Sequence, residues 1–105
     1  MVGSERYASW TAHDEPGACV LVLCGELDLT TAEEFADAAV HLAATIDPGT
    51  RLVVDLADVT FMDSTGLRAL LRIHAHAKHA LVLRSPRRPV RRVLNLTVPE
   101  MFAIE

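Results

Sequence analysis

The sequence predicts an α/β domain built on a single-layer mixed sheet with helices packed against it. Short apolar runs of strand length alternate with segments whose apolar residues recur at helical spacing, and turn residues separate the two kinds of segment. The predicted order of elements is β β α β α β α β. Strands that alternate with helices usually pair in parallel, so most of the sheet should be parallel. The first two strands share a short Pro-Gly turn and should be antiparallel.

Two strands open this predicted fold. The first is an edge strand over residues 6–12, followed by a turn over residues 14–17 that contains Asp, Pro and Gly. A continuous apolar run over residues 18–24 is typical of a strand buried on both faces. Gly25 is expected to end that strand.

A helix and a second buried strand come next. Thr30 or Thr31 suits the N-cap position of the helix. The core-facing stripe of this helix consists of Phe35, Ala39, Leu42 and Ile46. The Asp-Pro-Gly segment at 47–49 should stop the helix, and residues 51–56 should form the strand.

The C-terminal half continues the alternation. A helix is predicted over residues 67–79 and a short strand over residues 80–84. Ser85 is expected to cap a third helix with Pro86 at its first position, where the missing N–H costs nothing. The last short strand is predicted over residues 101–104. The apolar faces of the two helices consist of Leu67, Leu70, Leu71 and His74, and of Val90, Val93 and Leu94.

Length, composition and charge restrict the class of protein. A chain of 105 residues fits one domain, residues 1–105, and 50% hydrophobic content supports a real core. The net charge of −4 argues against nucleic acid as the main partner. No apolar run approaches the roughly 18 residues of a membrane span, and the N-terminus lacks the apolar region of a signal peptide. A soluble, cytoplasmic protein is therefore expected.

Arginine and cysteine residues each raise a question that the sequence answers only in part. Five arginines cluster late in the chain and form either a solvated helix face or a docking patch: Arg84, Arg87, Arg88, Arg91 and Arg92. Cys19 and Cys24 lie five residues apart in one predicted strand, so their side chains should point to opposite faces and cannot bridge. Both are expected to be buried structural thiols.

The most informative segment is the Phe-Met-Asp-Ser-Thr-Gly-Leu run at 61–67, between a predicted strand and a predicted helix. Its Ser64 could cap the helix, act as a nucleophile or accept a phosphate. The sequence contains no G-x-x-x-x-G-K-[ST] loop and no G-x-G-x-x-G fingerprint, and Met62 stands where a G-x-S-x-G elbow needs its first glycine. The nearest histidines lie ten or more residues further along the same helix, which argues against a catalytic triad.

Histidines and aspartates elsewhere have ordinary explanations. His74, His76 and His79 could share a metal, but a solvated or satisfied histidine face is favoured because no acid lies nearby in sequence. Asp28, Asp58 and Asp63 are predicted in loops after strands, and turn hydrogen bonding accounts for the last two. Asp55 interrupts a buried strand and needs partners, which we expect to be backbone N–H groups of the neighbouring loop.

A phosphate on Ser64 is compatible with a position at a helix N-terminus. The added charge, roughly −1.5 to −2 at neutral pH, would meet free N–H groups and the positive end of the helix dipole. The fold should therefore tolerate it. Asp63 next door makes this a poor permanent anion site, which suits a reversible switch better than a standing phosphate pocket.

Two motifs resemble those of a known family. Residues 53–67, Val-Val-Asp-Leu-x-x-Val-Thr-Phe-Met-Asp-Ser-Thr-Gly-Leu, resemble the signature of STAS domains, in particular bacterial anti-sigma factor antagonists. Gly-Glu-Leu-Asp at 25–28, followed by Thr31 and Ala32, is similar to the family's other motif. By order of elements, the resemblance extends over residues 18–104.

This resemblance implies a STAS-like fold and partner switching in transcription regulation, as in stress response or sporulation. Members bind an anti-sigma factor that is also a serine kinase related to histidine-kinase ATPases, and binding releases the sigma factor. The kinase phosphorylates a serine in the Asp-Ser-(Ser/Thr)-Gly turn, which ends binding, and a serine phosphatase restores it. Carried over to this sequence, Ser64 is the phosphoacceptor.

The implied partner surface surrounds that serine. Thr65 is the neighbouring hydroxyl, Gly66 would let the backbone turn closely into the helix, and Arg68 is included from its position in the first helical turn alone. The complete set is Asp28, Thr30, Asp63, Ser64, Thr65, Gly66 and Arg68.

One departure and two alternatives remain. Family members commonly carry a final helix after the last strand, and this sequence stops at Glu105, so that helix is expected to be missing. An open sheet face or edge could then be covered by a second subunit, giving a homodimer. The alternatives are a STAS scaffold or interaction module that is never phosphorylated, and a small hydrolase whose Ser64 has no histidine to activate it. No cofactor, metal, nucleic-acid or membrane partner is expected.

Overall fold

The computed structural model describes residues 2–5, 8–77 and 81–105, which form six strands and three helices. The strands are β1 (Val2–Glu5), β2 (Ala8–Glu15), β3 (Ala18–Leu27), β4 (Arg51–Met62), β5 (Leu81–Arg84) and β6 (Ala103–Ile104). The helices are α1 (Ala32–Thr45), α2 (Ser64–Ala77) and α3 (Arg88–Thr97). One sheet in the order β1-β2-β3-β4-β5-β6 contains every strand; β1–β2 and β2–β3 pair antiparallel, and the other neighbours pair in parallel. The predicted mixed α/β architecture is confirmed.

The N-terminal edge of the sheet differs from the prediction. The edge strand is β1, whose Val-Gly-Ser-Glu sequence lacks the apolar alternation by which strands are recognised. The strand predicted over residues 6–12 corresponds to β2, which is the second strand and runs on to Glu15; residues 6 and 7 lie outside the described chain. The turn is therefore shorter than predicted. Glu15 pairs with Ala18, so Pro16 and Gly17 alone connect β2 to β3, with Gly17 at φ 74°.

The two central strands also extend beyond their predicted ends. β3 continues to Leu27, so the prediction that Gly25 ends it is wrong; that glycine lies within the strand at φ 107°. β4 continues from residue 56 to Met62, so Asp58, predicted in a loop, lies in a strand. Only Asp63 separates β4 from α2, which begins at residue 64 rather than 67.

Two β-bulges explain why the side chains of β4 do not alternate with a period of two along the whole strand. Its pairing with β3 slips once between Asp55 and Asp58 and again between Val59 and Phe61. Each bulge inserts an extra residue and so resets which side chains face the core. The residues of β4 in the main core are Leu52, Val54, Leu56, Val59 and Met62, whose spacing changes from two to three. With the two bulges, Met62 at the end of β4 pairs with Leu27 at the end of β3.

One face of the sheet carries all three helices in a single core. On α1, Phe35 and Ala39 are fully buried, and Leu42 and Ile46 pack at its margin, as the stripe predicted. Within the described residues, no helix is both long and apolar enough to span a membrane.

The buried stripe of α2 differs in one position from the prediction. Leu67 and Leu70 are buried and Leu71 is partly buried, but Ile73 occupies the core position that was assigned to His74. His74 lies half-buried beside the stripe and packs edge-on against Phe102, with ring centroids 5.4 Å apart. The α3 stripe is confirmed, because its core residues are Val90 and Leu94 with Val93 partly buried.

The start of α3 contradicts the prediction of a Ser85 cap. The helix begins at Arg88, and Pro89, not Pro86, lies in its first turn. A start at Pro86 would require an N–H from Pro89 for the first helical hydrogen bonds, and proline has none. Beginning the helix later removes that requirement. Ser85 instead adopts a left-handed conformation, with φ 53°.

The opposite face of the sheet carries a small apolar cluster, which includes Val20 and Val53, and a group of charged side chains. Arg84 donates from both terminal nitrogens to the Glu15 carboxylate, at 3.1 Å each, and from Nε to Glu105 at 2.8 Å. We call Glu15, Arg84 and Glu105 the ionic strap. In the strand register, Val20 and Val53 lie between its two ends, and both are fully buried. Contact with Arg84 lowers the pKa of Glu15 to about 2 and lowers that of Glu105 as well.

The five clustered arginines differ in the contacts that they make. Arg84 belongs to the ionic strap, Arg87 donates to the backbone oxygen of Ala57 at 2.6 Å, and Arg91 donates to that of Pro86 at 3.2 Å. Arg88 and Arg92 are exposed on α3. The cluster is thus divided among three structural roles.

Both cysteines are free thiols, and only Cys19 is buried. Cys24 is only half-buried, so its prediction as a fully buried thiol is wrong. Its sulfur lies 3.9 Å from an oxygen of Asp58, the residue beside it on β4. Burial is the main cause that raises the pKa of each thiol, followed by Asp14 for Cys19 and by Asp58 for Cys24.

Candidate functional site

The candidate site lies where β3 and β4 end side by side. The last paired residues of these parallel strands are Leu27 and Met62, and an aspartate follows each of them directly. Because carboxyl ends of parallel strands meet at one sheet edge, Asp28 and Asp63 open two loops at the same place. The first loop leads into α1 and the second into α2.

The two aspartates build the same turn. Asp28 Oδ1 accepts hydrogen bonds from the backbone N–H of Thr30 at 2.9 Å and from its hydroxyl at 2.8 Å. Asp63 Oδ1 accepts the same pair from Thr65, at 2.9 and 2.5 Å. A short aspartate side chain commonly bonds the backbone two residues on in this way. The turn role predicted for Asp63 is confirmed, and an Asp-x-Thr pattern accounts for both loops.

In each loop the middle residue of Asp-x-Thr is held towards solvent. These residues are Leu29, which is 77% exposed, and Ser64, which is also exposed. The Ser64 hydroxyl makes no hydrogen bond within the described residues, so it carries no part of the local structure. An apolar side chain and a free hydroxyl are thereby displayed on neighbouring loops.

Asp63, and not Ser64, caps α2. Besides the two bonds from Thr65, its Oδ1 accepts the backbone N–H of Gly66 at 3.2 Å, and its carbonyl accepts the N–H of Leu67 at 3.0 Å. These are the contacts of an N-cap residue, which satisfies N–H groups at the second and third helical positions. The interpretation of Ser64 as a cap is therefore wrong, because Ser64 is the first residue of the helix proper.

The buried Thr31 side chain stabilises the first loop through hydrogen bonds to its backbone. It occupies the N-cap position of α1, as one of the two predicted candidates, but makes no side-chain capping bond. Its fully buried hydroxyl donates to the Glu26 carbonyl at 2.6 Å and accepts the N–H of Asp28 at 3.0 Å. Hydrogen bonds from Thr30 and then Thr31 lower the pKa of Asp28. The predicted site omitted Thr31, although the sequence shows this second threonine directly after the Asp-x-Thr pattern of residues 28–30.

Gly66 allows α2 to touch the end of β3. A Cβ at this position would lie 2.4 Å from the Leu27 carbonyl oxygen and 2.5 Å from Met62 Cγ, both far inside van der Waals contact. The glycine is not one of those with positive φ, so close approach alone excludes a side chain here. The expected tight entry of the backbone into the helix is what this contact provides.

Arg68 lines a groove between α1 and α2 that begins at the two loops. The groove has a volume of about 310 Å³, and its walls include Leu29, Glu33, Thr65 and Arg68. Arg72, which also lines the groove, bridges the two helices through an ion pair with Asp37, whose Oδ1 lies 2.6 Å from Arg72 Nη2. Arg68 is exposed and makes no ion pair within the described residues. The sequence did not indicate the groove, because α1 and α2 residues meet only in the folded chain.

Two further groups of candidates lie apart from this surface. His76 Nδ1 is 2.9 Å from the Arg72 carbonyl and His74 stacks on Phe102, while His79 lies outside the described residues. In the described part of the chain, no three His, Cys, Asp or Glu side chains are arranged to hold a metal. Asp55 accepts the N–H of Ala57 at 3.0 Å, so its partner is backbone as expected, but from the bulge of its own strand rather than a loop.

Comparison with known proteins agrees with this geometry. The family model described as "Mlab, STAS domain" matches residues 10–98. The anti-sigma-F factor antagonist RsfB of Mycobacterium tuberculosis is 37% identical over 86 residues, which cover 76% of this chain and 69% of that protein.

Solved structures of similar proteins share the fold. A crystal structure of an anti-sigma factor antagonist from Mycobacterium paratuberculosis superposes with a TM-score of 0.81 at 26% identity, over 92% of this chain and 84% of the other. The structure of the anti-sigma factor antagonist SpoIIAA in its unphosphorylated form gives a TM-score of 0.70 at 18% identity, over 91% and 87% of the two chains. The latter supports the fold alone. The chain belongs to the STAS-domain family of anti-sigma factor antagonists.

Proposed function

We propose that this chain binds an anti-sigma factor that is also a serine kinase, that binding releases the sigma factor, and that phosphorylation of Ser64 ends the binding. The observation that carries the proposal is the exposed Ser64 hydroxyl at the start of α2, with the capping role taken by Asp63. The resemblance to RsfB supports the class of partner. The chain acts by binding and not by catalysis.

The fold can tolerate a phosphoryl group on Ser64. The Ser64 oxygen would attack the γ-phosphorus of ATP, the bond to the ADP oxygen would break, and the hydroxyl proton would pass to a base of the kinase. No hydrogen bond within the described residues is lost, because the hydroxyl makes none there. The new charge lies at the positive end of the α2 dipole. The modification therefore changes the surface and leaves the scaffold intact.

The partner surface combines apolar and charged groups around Ser64. Leu29, on the loop beside that of Ser64, is 77% exposed and supplies an apolar centre. Asp28, Thr30 and the groove wall at Arg68 supply a polar border. Stable interfaces have this arrangement of an apolar core with a polar rim. The charge of roughly −1.5 to −2 that a phosphate adds at the centre would oppose association with a fitted partner.

A charge-mimicking pair of variants tests the proposal. Ser64→Asp should weaken binding to the anti-sigma factor at least tenfold, about 1.4 kcal/mol, while Ser64→Ala retains most of it. Asn95→Asp is the matched control, because it adds the same charge to an exposed position of α3. The far-UV circular dichroism of all three should match that of the parent. Equal affinities for Ser64→Asp and the parent would refute the switch.

The modifying enzymes are tested separately. Incubation with the kinase and ATP should add one phosphate, and mass spectrometry of the tryptic peptide should place it on Ser64. A serine phosphatase should remove it and restore binding. Phosphate found only at other residues would contradict the assignment of Ser64.

A further inference from the structure

We propose that Arg68 responds to the phosphorylation state of Ser64: a phosphoryl group on Ser64 accepts hydrogen bonds from the Arg68 guanidinium and draws it out of the groove between α1 and α2. This inference rests on the proposed function, since it takes modification of Ser64 as its starting point. It adds a residue, and a second change of charge, to the mechanism of release.

Helix geometry brings the two side chains together. Ser64 is the first residue of α2 and Arg68 follows four positions later. Residues at this spacing lie one above the other on a helix, with Cβ atoms roughly 5–6 Å apart. Side chains on a helix lean towards its N-terminus, so the long Arg68 side chain leans in the direction of Ser64. A guanidinium can therefore reach a phosphoryl oxygen without a change in the backbone.

Arg68 is also the arginine that is available. It is exposed and makes no ion pair within the described residues. Arg72, which lines the same groove, is already paired with Asp37 at 2.6 Å and lies eight residues from Ser64, roughly 12 Å along the helix. The two arginines thus lie on the same helix and line the same groove. Arg68 is closer to Ser64 and, unlike Arg72, is not held in an ion pair within the described residues.

The chemistry favours transfer of the guanidinium to the phosphate. A phosphoserine carries roughly −1.5 to −2 charges and three acceptor oxygens, and the planar guanidinium can bind two of them at once. When Arg68 turns to Ser64, the mouth of the groove keeps the carboxylate of Glu33 and loses its facing cation. A partner acid that had bound Arg68 would then meet negative charge instead. Release would follow from both changes together.

The test uses protein with phosphoserine encoded at position 64 during synthesis, so that no kinase is needed. The titration of the phosphate is followed by its ³¹P chemical shift in the parent, in Arg68→Gln and in Arg72→Gln. A nearby guanidinium favours the dianionic form of the phosphate. The titration midpoint of the parent should therefore lie roughly several tenths of a pH unit below that of Arg68→Gln. Arg72→Gln should match the parent, and Arg68→Lys should fall between.

The outcomes separate this inference from the proposed function. Equal midpoints for the parent and Arg68→Gln would overturn the role of Arg68, whatever the partner does. Absence of binding between the unmodified chain and an anti-sigma factor would overturn the proposed function and leave the titration result unaffected. A phosphate titration midpoint that changes in Arg72→Gln but not in Arg68→Gln would show that the phosphate responds to Arg72. That result would also contradict the inference.

Discussion

Gly66→Ala tests the close contact on which the position of Ser64 depends. The added methyl would lie 2.4 Å from the Leu27 carbonyl oxygen and 2.5 Å from Met62 Cγ. Neither atom is the free end of a flexible side chain, so α2 must move away from the end of β3. Overpacking of this kind costs about 1–3 kcal/mol, and two simultaneous contacts argue for the upper end.

Helix propensity acts in the opposite direction and must be subtracted. Alanine is better than glycine in a helix by about 1 kcal/mol. The expected net loss is therefore about 2 kcal/mol, which corresponds to roughly 8–16 °C in the thermal midpoint of a domain of this size. The exposed position Ala75 on the same helix provides the control, since Ala75→Gly should lose about 1 kcal/mol through propensity alone.

The assay is urea unfolding of both variants and the parent, monitored by circular dichroism at 222 nm. A Gly66→Ala protein as stable as the parent, or more stable, would refute the reasoning. It would mean that α2 and β3 are not in contact at this point.

Leu29, Asp63 and Glu15 each allow a separate test. Leu29→Ser should leave the thermal midpoint unchanged because the side chain is 77% exposed, but should weaken partner binding about tenfold. The control is Leu96→Ser, at an equally exposed position on α3, which should alter neither the thermal midpoint nor the binding. Equal effects of the two substitutions on binding would contradict the assigned surface. Asp63→Ala should cost about 1–2 kcal/mol in denaturant unfolding through loss of the α2 cap, and no loss would contradict the cap. Glu15 has its pKa lowered from 4.5 to about 2, so its stabilising contribution is present above pH 4.5 and is lost as the pH falls towards 2. The thermal midpoints of the parent and Glu15→Gln should therefore converge over that range, and parallel curves would contradict the ionic strap.

Sequence patterns predicted the fold where the physical signal is local. The stripe on α1 was visible because one helix face repeats every three to four residues, and Phe35 and Ala39 are buried accordingly. The position of the candidate serine was visible for a similar reason, since Asp63 and Gly66 are typical of a strand-to-helix turn. These features depend on a few adjacent residues.

Features that depend on distant residues were missed or misplaced. The extension of β4 to Met62 requires two bulges, which are defined only by pairing with β3. Asp58 was placed in a loop for that reason. The edge strand β1 has no strand-like composition and exists because β2 offers it hydrogen-bonding groups. Tertiary contacts, and not local preference, decide these elements.

The candidate site divides in the same way. Asp28, Asp63 and Ser64 were named from motif and position, and the structure places all three at one sheet edge. Leu29 was overlooked because a single leucine in a loop has no pattern, and its importance appears only when its loop is seen to match that of Ser64. The pairing of Arg72 with Asp37, which leaves Arg68 available, likewise requires the packed helices.

We propose that charge on Ser64 controls association with the anti-sigma factor without altering the scaffold. Calorimetric titration of the anti-sigma factor with the unmodified chain, and with the chain carrying phosphoserine at position 64, tests it most directly. We expect the dissociation constant of the phosphorylated chain to be at least tenfold larger, about 1.4 kcal/mol, and the thermal midpoints of the two forms to agree within about 3 °C. Equal dissociation constants, or a phosphorylated chain that has lost its fold, would contradict it.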